Sequence, residues 1–264
     1  MSTDIEWEKW GARDPYFSVL TDPRFRVNAM TAQAREDFFA LGRMHVDHVL
    51  HVIRCHLDGA FAPTRTLDFG CGVGRLVMPF ARLGGEVVGV DISPSMLAEA
   101  RRNCDQAGLS NVVLLPSDDA LSAVAGDFDL VHSCIVLQHI EIPRGLVIFE
   151  QLVRRVRPGG MGAIHITFGW DAHAATLGVP PALPAPQAPS RLVRVRRWLH
   201  ELVHGKRTKL AGASQQVDTD PEMQMNFYNA SQLLFILQRA GVGAVYSELT
   251  DHGGALGLFL YFRR

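Results

Sequence analysis

The sequence predicts an α/β protein built on a doubly wound, mostly parallel sheet. Three observations lead to this prediction. Short apolar runs alternate with helical segments, a glycine-rich turn follows the first run, and Gly-Gly pairs follow two of the helices. Strands joined by helices of this length form βαβ units, whose right-handed crossovers place helices on both faces of a parallel sheet. The chain has 264 residues, 47% of them hydrophobic, and can bury such a core without disulfide or metal staples.

The first 60 residues are predicted to form a helical extension before the core. Aromatic residues are frequent over residues 1–30, where two Asp-Pro pairs favour turns, so this part is expected to be irregular. Its aromatic side chains are a candidate lid over the cleft of the core: Trp7, Trp10, Tyr16 and Phe17. Apolar residues then recur near helical spacing, which predicts a helix over Ala32–His56 with Thr31 as its N-cap.

Residues 61–168 contain the alternating pattern of the core. Strands are expected at residues 64–69, 85–91, 111–115, 128–133 and 161–168. The helices between them are expected at residues 73–83, 94–107 and 143–156. The pattern resumes in a C-terminal part of the core, residues 226–264, with a helix at 229–240 and strands at 243–250 and 255–262.

Residues 169–225 interrupt the pattern and are predicted to be an inserted cap or substrate segment. A Pro-Ala-rich stretch is followed by a basic stretch, residues 191–209, whose apolar residues recur at helical spacing. Three interpretations stay open for the basic stretch. It is a lid helix with a solvated basic face, a contact with a membrane surface, or a binding segment for an anionic or carrier-linked acceptor.

The turn after the first predicted strand, TLDFGCGVGRL at residues 66–76, carries the chemistry. Its glycines allow the backbone to approach a ligand above the strand ends, where open parallel sheets bind ligands. Dinucleotide-binding turns have the pattern G-x-G-x-x-G, but here the third glycine comes one residue early and Asp68 precedes the first. A carboxylate at this place repels a pyrophosphate and suits an ammonium group. The predicted ligand is therefore a nucleoside with a cationic tail, as in S-adenosylmethionine.

Asp91 ends the second predicted strand, in VVGVD. An acid at that place accepts hydrogen bonds from ribose hydroxyls. This feature fits both NAD and S-adenosylmethionine, so it supports a nucleoside without distinguishing the two.

Taken together, LDFGCGVG, VVGVD, FDLVHSCIVLQHI and VRPGG resemble the motifs of class I S-adenosylmethionine-dependent methyltransferases. The resemblance runs over about residues 64–168 and resumes at 226–262. It implies a Rossmann-like methyltransferase fold with seven strands, the last antiparallel. It also implies a cofactor site in which Asp68 holds the methionine part and Asp91 the ribose. The residues expected to bind the cofactor are Asp68, Gly70, Cys71, Gly72, Arg75, Asp91, Ile92, Met96, Ser117, Asp118, Asp119, Ser133 and Cys134.

Methyl transfer to a hydroxyl requires an acceptor held in line with the methyl carbon and a base for its proton. The first candidate base is His139, after the fourth strand, where the resemblance places a histidine that is a base, a substrate contact or a structural residue. Glu141 is the second candidate, as a base or as the ligand of a divalent metal. No metal site is predicted, and the triplet His45, His48 and His51 drifts around its helix. The expected acceptor-binding residues are Tyr16, Gln138, His165, Asn226, Tyr228 and His252.

The predicted function is O-methylation of a small molecule, with a saccharide or a glycosylated metabolite as the favoured acceptor. The alternatives are N- or C-methylation of a small amine or quinone, and a non-catalytic cofactor-binding protein of this fold. Nucleic acid is not an expected partner, because the net charge is −1 and no Asn/Asp-Pro-Pro-aromatic motif follows the fourth strand. The oligomeric state stays open.

A cytoplasmic location is expected from three features. The first residues show no secretory signal, no apolar run reaches the ~18 residues of a membrane span, and the four cysteines are scattered. Reduced thiols are therefore expected.

Overall fold

The computed structural model describes residues 3–173 and 220–264. The strands are β1 Arg65–Phe69, β2 Glu86–Asp91, β3 Val112–Pro116, β4 Phe128–Ser133, β5 Val156–Trp170, β6 Val245–Asp251 and β7 Ala255–Arg263. The helices are α1 Thr3–Arg13, α2 Pro15–Val19, α3 Ala32–His56, α4 Val77–Ala81, α5 Pro94–Gln106, α6 Ile142–Arg155 and α7 Ala230–Arg239.

The seven strands form one sheet in the order β3-β2-β1-β4-β5-β7-β6. Neighbours from β3 to β5 are parallel, whereas β7 is antiparallel to both β5 and β6. The predicted seven-stranded, mostly parallel, Rossmann-like fold is confirmed. The direction of the strand order reverses between β1 and β4, and a reversal of this kind leaves a crevice at the carboxyl ends of the strands.

The two faces of the sheet carry different cores, because successive side chains of a strand point to opposite faces. On one face, Phe69 and Val131 belong to a cluster with side chains of α6 and α7. On the other, Leu130 belongs to a cluster with side chains of α3 and α4. Asp68 and His132 alternate with Phe69 and Val131, so their side chains face α3.

The expectation of an irregular N-terminus was wrong. Residues 3–13 form α1 and residues 15–19 form α2, and the first Asp-Pro pair separates them, because Asp14 is the N-cap of α2 and Pro15 its first residue. Trp10 is buried, with 2% of its surface exposed, so the packing of α1 on the core stabilises a helix that local sequence signals do not predict. By contrast, α3 has the predicted bounds, and the Thr31 hydroxyl accepts a hydrogen bond from the Ala34 amide as an N-cap.

The helix after the glycine-rich turn is shorter than predicted. It begins at Val77, because the preceding residues stay in turns around Gly70, Gly72 and Gly74, whose φ angles are +71°, +51° and +82°. Only glycine adopts such angles without strain. The segment that includes Pro158 and Gly159, expected as a turn, instead lies within the bounds of β5.

The predicted helix in the basic stretch, residues 191–209, lies outside the described residues. Within residues 3–173 and 220–264, no helix combines the length and the apolar character needed to cross a membrane.

Helix α3 approaches the glycine-rich turn most closely at Gly42. A Cβ atom on Gly42 would lie 2.4 Å from the carbonyl oxygen of Arg75. In an exposed helix interior, Gly→Ala raises stability by up to about 1 kcal/mol, because alanine has the higher helix propensity. We expect the opposite sign for Gly42→Ala, a fall of about 1–2 kcal/mol in the free energy of unfolding, because overpacking outweighs propensity.

The measurement for this prediction is urea denaturation, and the matched control is Gly59→Ala. The Cβ at Gly59 would have its nearest contact at 3.7 Å, so this variant should stay within about 0.5 kcal/mol of the wild type. A Gly42→Ala protein more stable than the wild type would contradict the close contact between α3 and the turn.

Candidate active site

A cavity opens above the carboxyl ends of β1, β2 and β4, at the reversal of strand order. All the residues predicted to bind the cofactor line it, except Ser133. The Ser133 side chain is buried, and its hydroxyl donates to the carbonyl oxygen of Phe69 at 3.1 Å. The parts of the chain around the cavity are α1, α2 and the segments that follow β1, β2, β3 and β4.

The innermost charged group of the cavity is the carboxylate of Asp68, which is 2% exposed. Its Oδ1 lies 2.7 Å from Nδ1 of His132. Its Oδ2 is buried and has no hydrogen-bond partner among the described residues. An unsatisfied buried carboxylate oxygen is costly, so this atom is suited to a cationic hydrogen-bond donor from a ligand.

Arg75, on the same wall of the cavity, presents the complementary charge. The side chain is 7% exposed, and its Nε has no hydrogen-bond partner among the described residues. Burial lowers the pKa of the guanidinium, while Asp68 and Cys134 act in the opposite direction. The Asp68 carboxylate can accept from an ammonium group, and the Arg75 guanidinium can donate to a carboxylate. Together they match the two charged groups of a free amino acid.

Asp91 lies at the end of β2 and holds the glycine-rich turn. Its Oδ2 accepts a hydrogen bond from the Gly72 amide at 2.8 Å, and its Oδ1 accepts one from the Ser93 amide at 2.9 Å. Burial raises the pKa of this carboxyl to about 6, against the effect of these hydrogen bonds. Each carboxylate oxygen has a second lone pair, which leaves capacity to accept from a ligand's vicinal hydroxyls.

At the opposite end of the cavity, Asp118 and Asp119 have local partners. The Asp118 Oδ1 accepts from the backbone amides of Ala120 and Ser122 in its own turn. The Asp119 Oδ1 lies 2.6 Å from Nε of Arg144, on α6. Asp118 therefore shapes the loop after β3, while Asp119 joins that loop to α6.

Helix α1 closes the cavity from above and is held near its start and in its middle. Near its start, Asp4 forms an ion pair with Arg144 at 2.6 Å, so Arg144 bridges α1 to Asp119. In its middle, Glu8 accepts hydrogen bonds from the hydroxyls of Ser93 and Ser95, each at 2.6 Å, at the start of α5. Because Asp4 and other residues of α1 line the cavity, this helix forms part of the site itself.

His139 lines the cavity and is held in one tautomer. Its Nδ1 lies 2.7 Å from the carbonyl oxygen of Gln224, and because a carbonyl only accepts, Nδ1 carries the hydrogen. The Gln138 amide oxygen accepts from the Thr167 hydroxyl at 2.7 Å, so its NH₂ group faces Nε2 of His139 at 3.3 Å. Burial lowers the pKa of His139 to about 4. The imidazole is therefore neutral at pH 7, with its lone pair on Nε2.

Comparison with known proteins agrees with this geometry. The family described as "Methyltransferase domain" matches residues 66–160. The matched segment is about a third of the chain and holds the glycine-rich turn, Asp91 and His139. The resemblance predicted from the motifs is confirmed.

Curated relatives of the methyltransferase domain include two enzymes named ubiquinone biosynthesis O-methyltransferase. The protein from Methylocella silvestris is 40% identical over 97 residues, 37% of this chain and 37% of that protein. The protein from Cereibacter sphaeroides is 36% identical over 101 residues, 38% of this chain and 40% of that protein. The similarity thus spans about two fifths of the curated relatives' length.

Solved structures of similar fold include two methyltransferases. Magnesium protoporphyrin IX methyltransferase from Synechocystis PCC 6803, with bound SAM, has a TM-score of 0.60 at 16% identity and covers 100% of this chain and 98% of that one. The N-methyltransferase NodS from Bradyrhizobium japonicum WM9, in complex with S-adenosyl-L-homocysteine, has a TM-score of 0.55 at 16% identity and covers 100% and 99%. These likenesses establish the fold.

The residues predicted to bind the acceptor do not line the cavity of the methyltransferase domain. Three of them contact the loop that carries His139 or belong to it. The Gln138 side chain contacts the His139 ring, and the Asn226 amide donates to the Gln138 carbonyl oxygen. The Tyr228 hydroxyl donates to backbone carbonyl oxygens of the same loop. The Tyr228 hydroxyl lies 2.9 and 2.7 Å from the carbonyl oxygens of Leu137 and Ile140. Their acceptor-binding role stays a prediction, and their observed contacts are with protein.

The remaining predicted residues lie farther from the cavity lining. Tyr16 is buried, with its hydroxyl 2.5 Å from Glu99. His165 contacts Thr250 at 2.9 Å, and its ring packs against that of His252. Glu141 is exposed directly before α6. Among the described residues, no three His, Cys, Asp or Glu side chains form a group that could hold a metal ion.

The charged or polar residues in and around the site that were not predicted include Asp4, His45, His132 and Arg144. One local signal was present, because His132 interrupts the apolar strand FDLVHS. The other three act through partners distant in sequence, which periodicity does not indicate.

Because Arg144 bridges α1 and the loop after β3 through Asp4 and Asp119, its removal should release the start of α1. For Arg144→Met, we expect faster hydrogen exchange of the α1 amides than in the wild type, measured by mass spectrometry of peptides from residues 3–13. The control is Arg154→Met on the same helix, which loses only an exposed pair with Glu150. Equal exchange of α1 in the two variants would contradict the bridging role.

Proposed function

We propose that this chain is an S-adenosylmethionine-dependent methyltransferase that methylates a hydroxyl of a small molecule, with His139 as the general base. The observation that carries the proposal is the pair of buried, unsatisfied atoms in one cavity, Oδ2 of Asp68 and Nε of Arg75. One suits an ammonium and the other a carboxylate. With Asp91 at the next strand end, the cavity matches an amino acid joined to a nucleoside.

Each wall of the cavity has a role in holding this cofactor. Asp68 would accept from its ammonium, Arg75 would donate to its carboxylate, and Asp91 would accept from its ribose hydroxyls. Ile92 lies beside Asp91 and supplies an apolar contact for the adenine. When bound, the cofactor supplies a methyl group activated by a sulfonium for in-line displacement. No pyrophosphate fits beside the Asp68 carboxylate, which argues against a dinucleotide.

The acceptor side of the proposal rests on His139. Its neutral imidazole has a lone pair on Nε2, which the Gln138 amide contacts at 3.3 Å. A hydroxyl of the acceptor would displace this amide and give its proton to Nε2 as the methyl transfers. Trp7 lies against it, with ring centroids 4.9 Å apart, and the Thr3 hydroxyl donates to the His139 carbonyl oxygen at 2.8 Å. Helix α1 thus restricts water at the base and presents an aromatic face to the acceptor.

The class of acceptor is the finer part of the proposal. The fold is shared with an enzyme named as an N-methyltransferase, so it does not select the methylated atom, whereas the curated relatives of residues 66–160 are named O-methyltransferases. A ring-bearing hydroxyl compound fits the aromatic face of Trp7, and the saccharide preference stays a prediction. Screening glycosides beside phenols and quinols for methylated product distinguishes these acceptors.

The cofactor step is tested by calorimetric titration with S-adenosylmethionine at pH 7.5 and pH 5. The raised pKa of Asp91, about 6 in the free protein, means that this group is ionised at pH 7.5 and mostly protonated at pH 5. The ribose hydroxyls need the ionised form as acceptor. Binding should therefore weaken about tenfold as the pH falls through 6, which corresponds to one pKa unit.

For the same titration, Asp91→Asn should bind weakly at both pH values, because the group that titrates is gone. Asp105→Asn, at an exposed position of α5, should behave as the wild type. Absence of binding at pH 7.5 in the wild type would overturn the proposed cofactor. Equal pH dependence in wild type and Asp91→Asn would contradict the role of Asp91.

Substitution of each predicted base candidate by glutamine distinguishes the two. His139→Gln should lower kcat about 10²- to 10⁴-fold, because it removes the proton acceptor, and should leave cofactor affinity unchanged. Glu141→Gln should keep full activity, because Glu141 lies outside the cavity. The measurement is the rate of S-adenosylhomocysteine release with an accepted hydroxyl compound. Full activity of His139→Gln would rule out His139 as the base.

A further inference from the structure

We propose that His132, supported by His45, is a positioning residue that orients Asp68 toward the amino group of the cofactor. This inference rests on the proposed function. Neither histidine lines the cavity, so both would act only through the carboxylate. The site would thus contain a chain of three side chains, buried at Asp68 and His132 and partly exposed at His45, that extends from the cavity to α3.

The backbone places the first two members side by side. Strands β1 and β4 are parallel neighbours, and Asp68 is paired in register with His132. The side chain of His132 is fully buried, and its Nδ1 lies 2.7 Å from Oδ1 of Asp68. His45, on α3, completes the chain with its Nε2 3.0 Å from Nε2 of His132.

The hydrogen positions along this chain follow from the chemistry of each group. An ionised carboxylate only accepts, so Nδ1 of His132 carries a hydrogen and donates it to Asp68. Burial and the neighbouring His132 hold the pKa of His45 well below its usual value, so His45 is neutral. The Nε2 atoms of His45 and His132 lie 3.0 Å apart and share a hydrogen bond. The two hydrogen bonds form a chain that ends at Asp68, and hydrogen bonds in such a chain reinforce one another.

Aromatic side chains flank His132. The imidazole packs between the rings of Phe80 and Phe259, whose centroids lie 5.3 and 5.9 Å away. These contacts fix the ring plane and therefore the direction of the Nδ1–H bond. With Oδ1 occupied by His132, only Oδ2 of Asp68 is left without a partner among the described residues.

A positioning role predicts an effect that depends on the ligand. S-adenosylhomocysteine carries the amino-acid end, whereas 5′-methylthioadenosine keeps the nucleoside and the thioether and lacks the amino group. If His132 acts through Asp68, its removal should weaken only the first ligand. General damage to the cavity would weaken both ligands together.

The experiment measures the affinity of the full chain for both ligands by calorimetry at pH 7.5. His132→Leu should lose tenfold or more in affinity for S-adenosylhomocysteine, the loss expected for a hydrogen bond to a charged group. Its affinity for 5′-methylthioadenosine should change less than twofold. His132→Asn should bind both ligands within threefold of the wild type, because its amide N–H can donate to Oδ1 of Asp68 in place of Nδ1–H.

A second variant keeps the test independent of the stability of His132→Leu. His45→Leu leaves the Asp68–His132 hydrogen bond in place and removes its support, so a smaller loss, about two- to fivefold, is expected for S-adenosylhomocysteine alone. Equal losses for both ligands, or no loss for S-adenosylhomocysteine in either leucine variant, would overturn the inference while leaving the proposed function intact. A wild-type chain that binds neither ligand would instead overturn the proposed function, and this inference with it.

Discussion

The site depends on the buried carboxylate of Asp68 at the end of β1. The position lies where the strand order reverses, so no crossover helix covers it and the backbone of the glycine-rich turn is free to curve around a ligand. Burying a carboxylate is unfavourable unless it is hydrogen-bonded or paired. Here the protein satisfies one oxygen through His132 and leaves the other for the ligand. Much of the surrounding structure serves to keep that arrangement intact.

The polar contacts that hold α1 over the cavity are individually weak. The ion pairs of Asp4 and Asp119 with Arg144 are partly exposed, and pairs of this kind each contribute about 0–1 kcal/mol. The Glu8 contacts with Ser93 and Ser95 add charge-assisted hydrogen bonds. The floor of the cavity is thus part of the sheet core, whereas its roof combines the packing of Trp10 with these partly exposed polar contacts.

The sequence predicts those features that depend on residues close together in the chain. Strand and helix positions in the core rest on periodicity and on local turn residues, and α3 with its Thr31 cap has the predicted bounds for this reason. The glycine spacing and Asp91 place the cofactor site because both lie at strand ends, which the fold class brings together. Helix α1 was missed because its stability comes from packing of residues such as Trp10. The contact between His45 and His132 joins residues 87 positions apart, which no local pattern encodes.

The depressed basicity of His139 bears on the timing of the reaction it would assist. An imidazole with a pKa of about 4 is too weak to create an alkoxide or phenoxide in advance. As the new carbon–oxygen bond forms, however, the oxygen becomes strongly acidic and yields its proton even to a feeble acceptor. The low pKa of His139 therefore favours late deprotonation, concerted with bond formation. The resulting imidazolium is a strong enough acid to release its proton to water once the product leaves. The neutral base would therefore be regenerated rapidly between cycles.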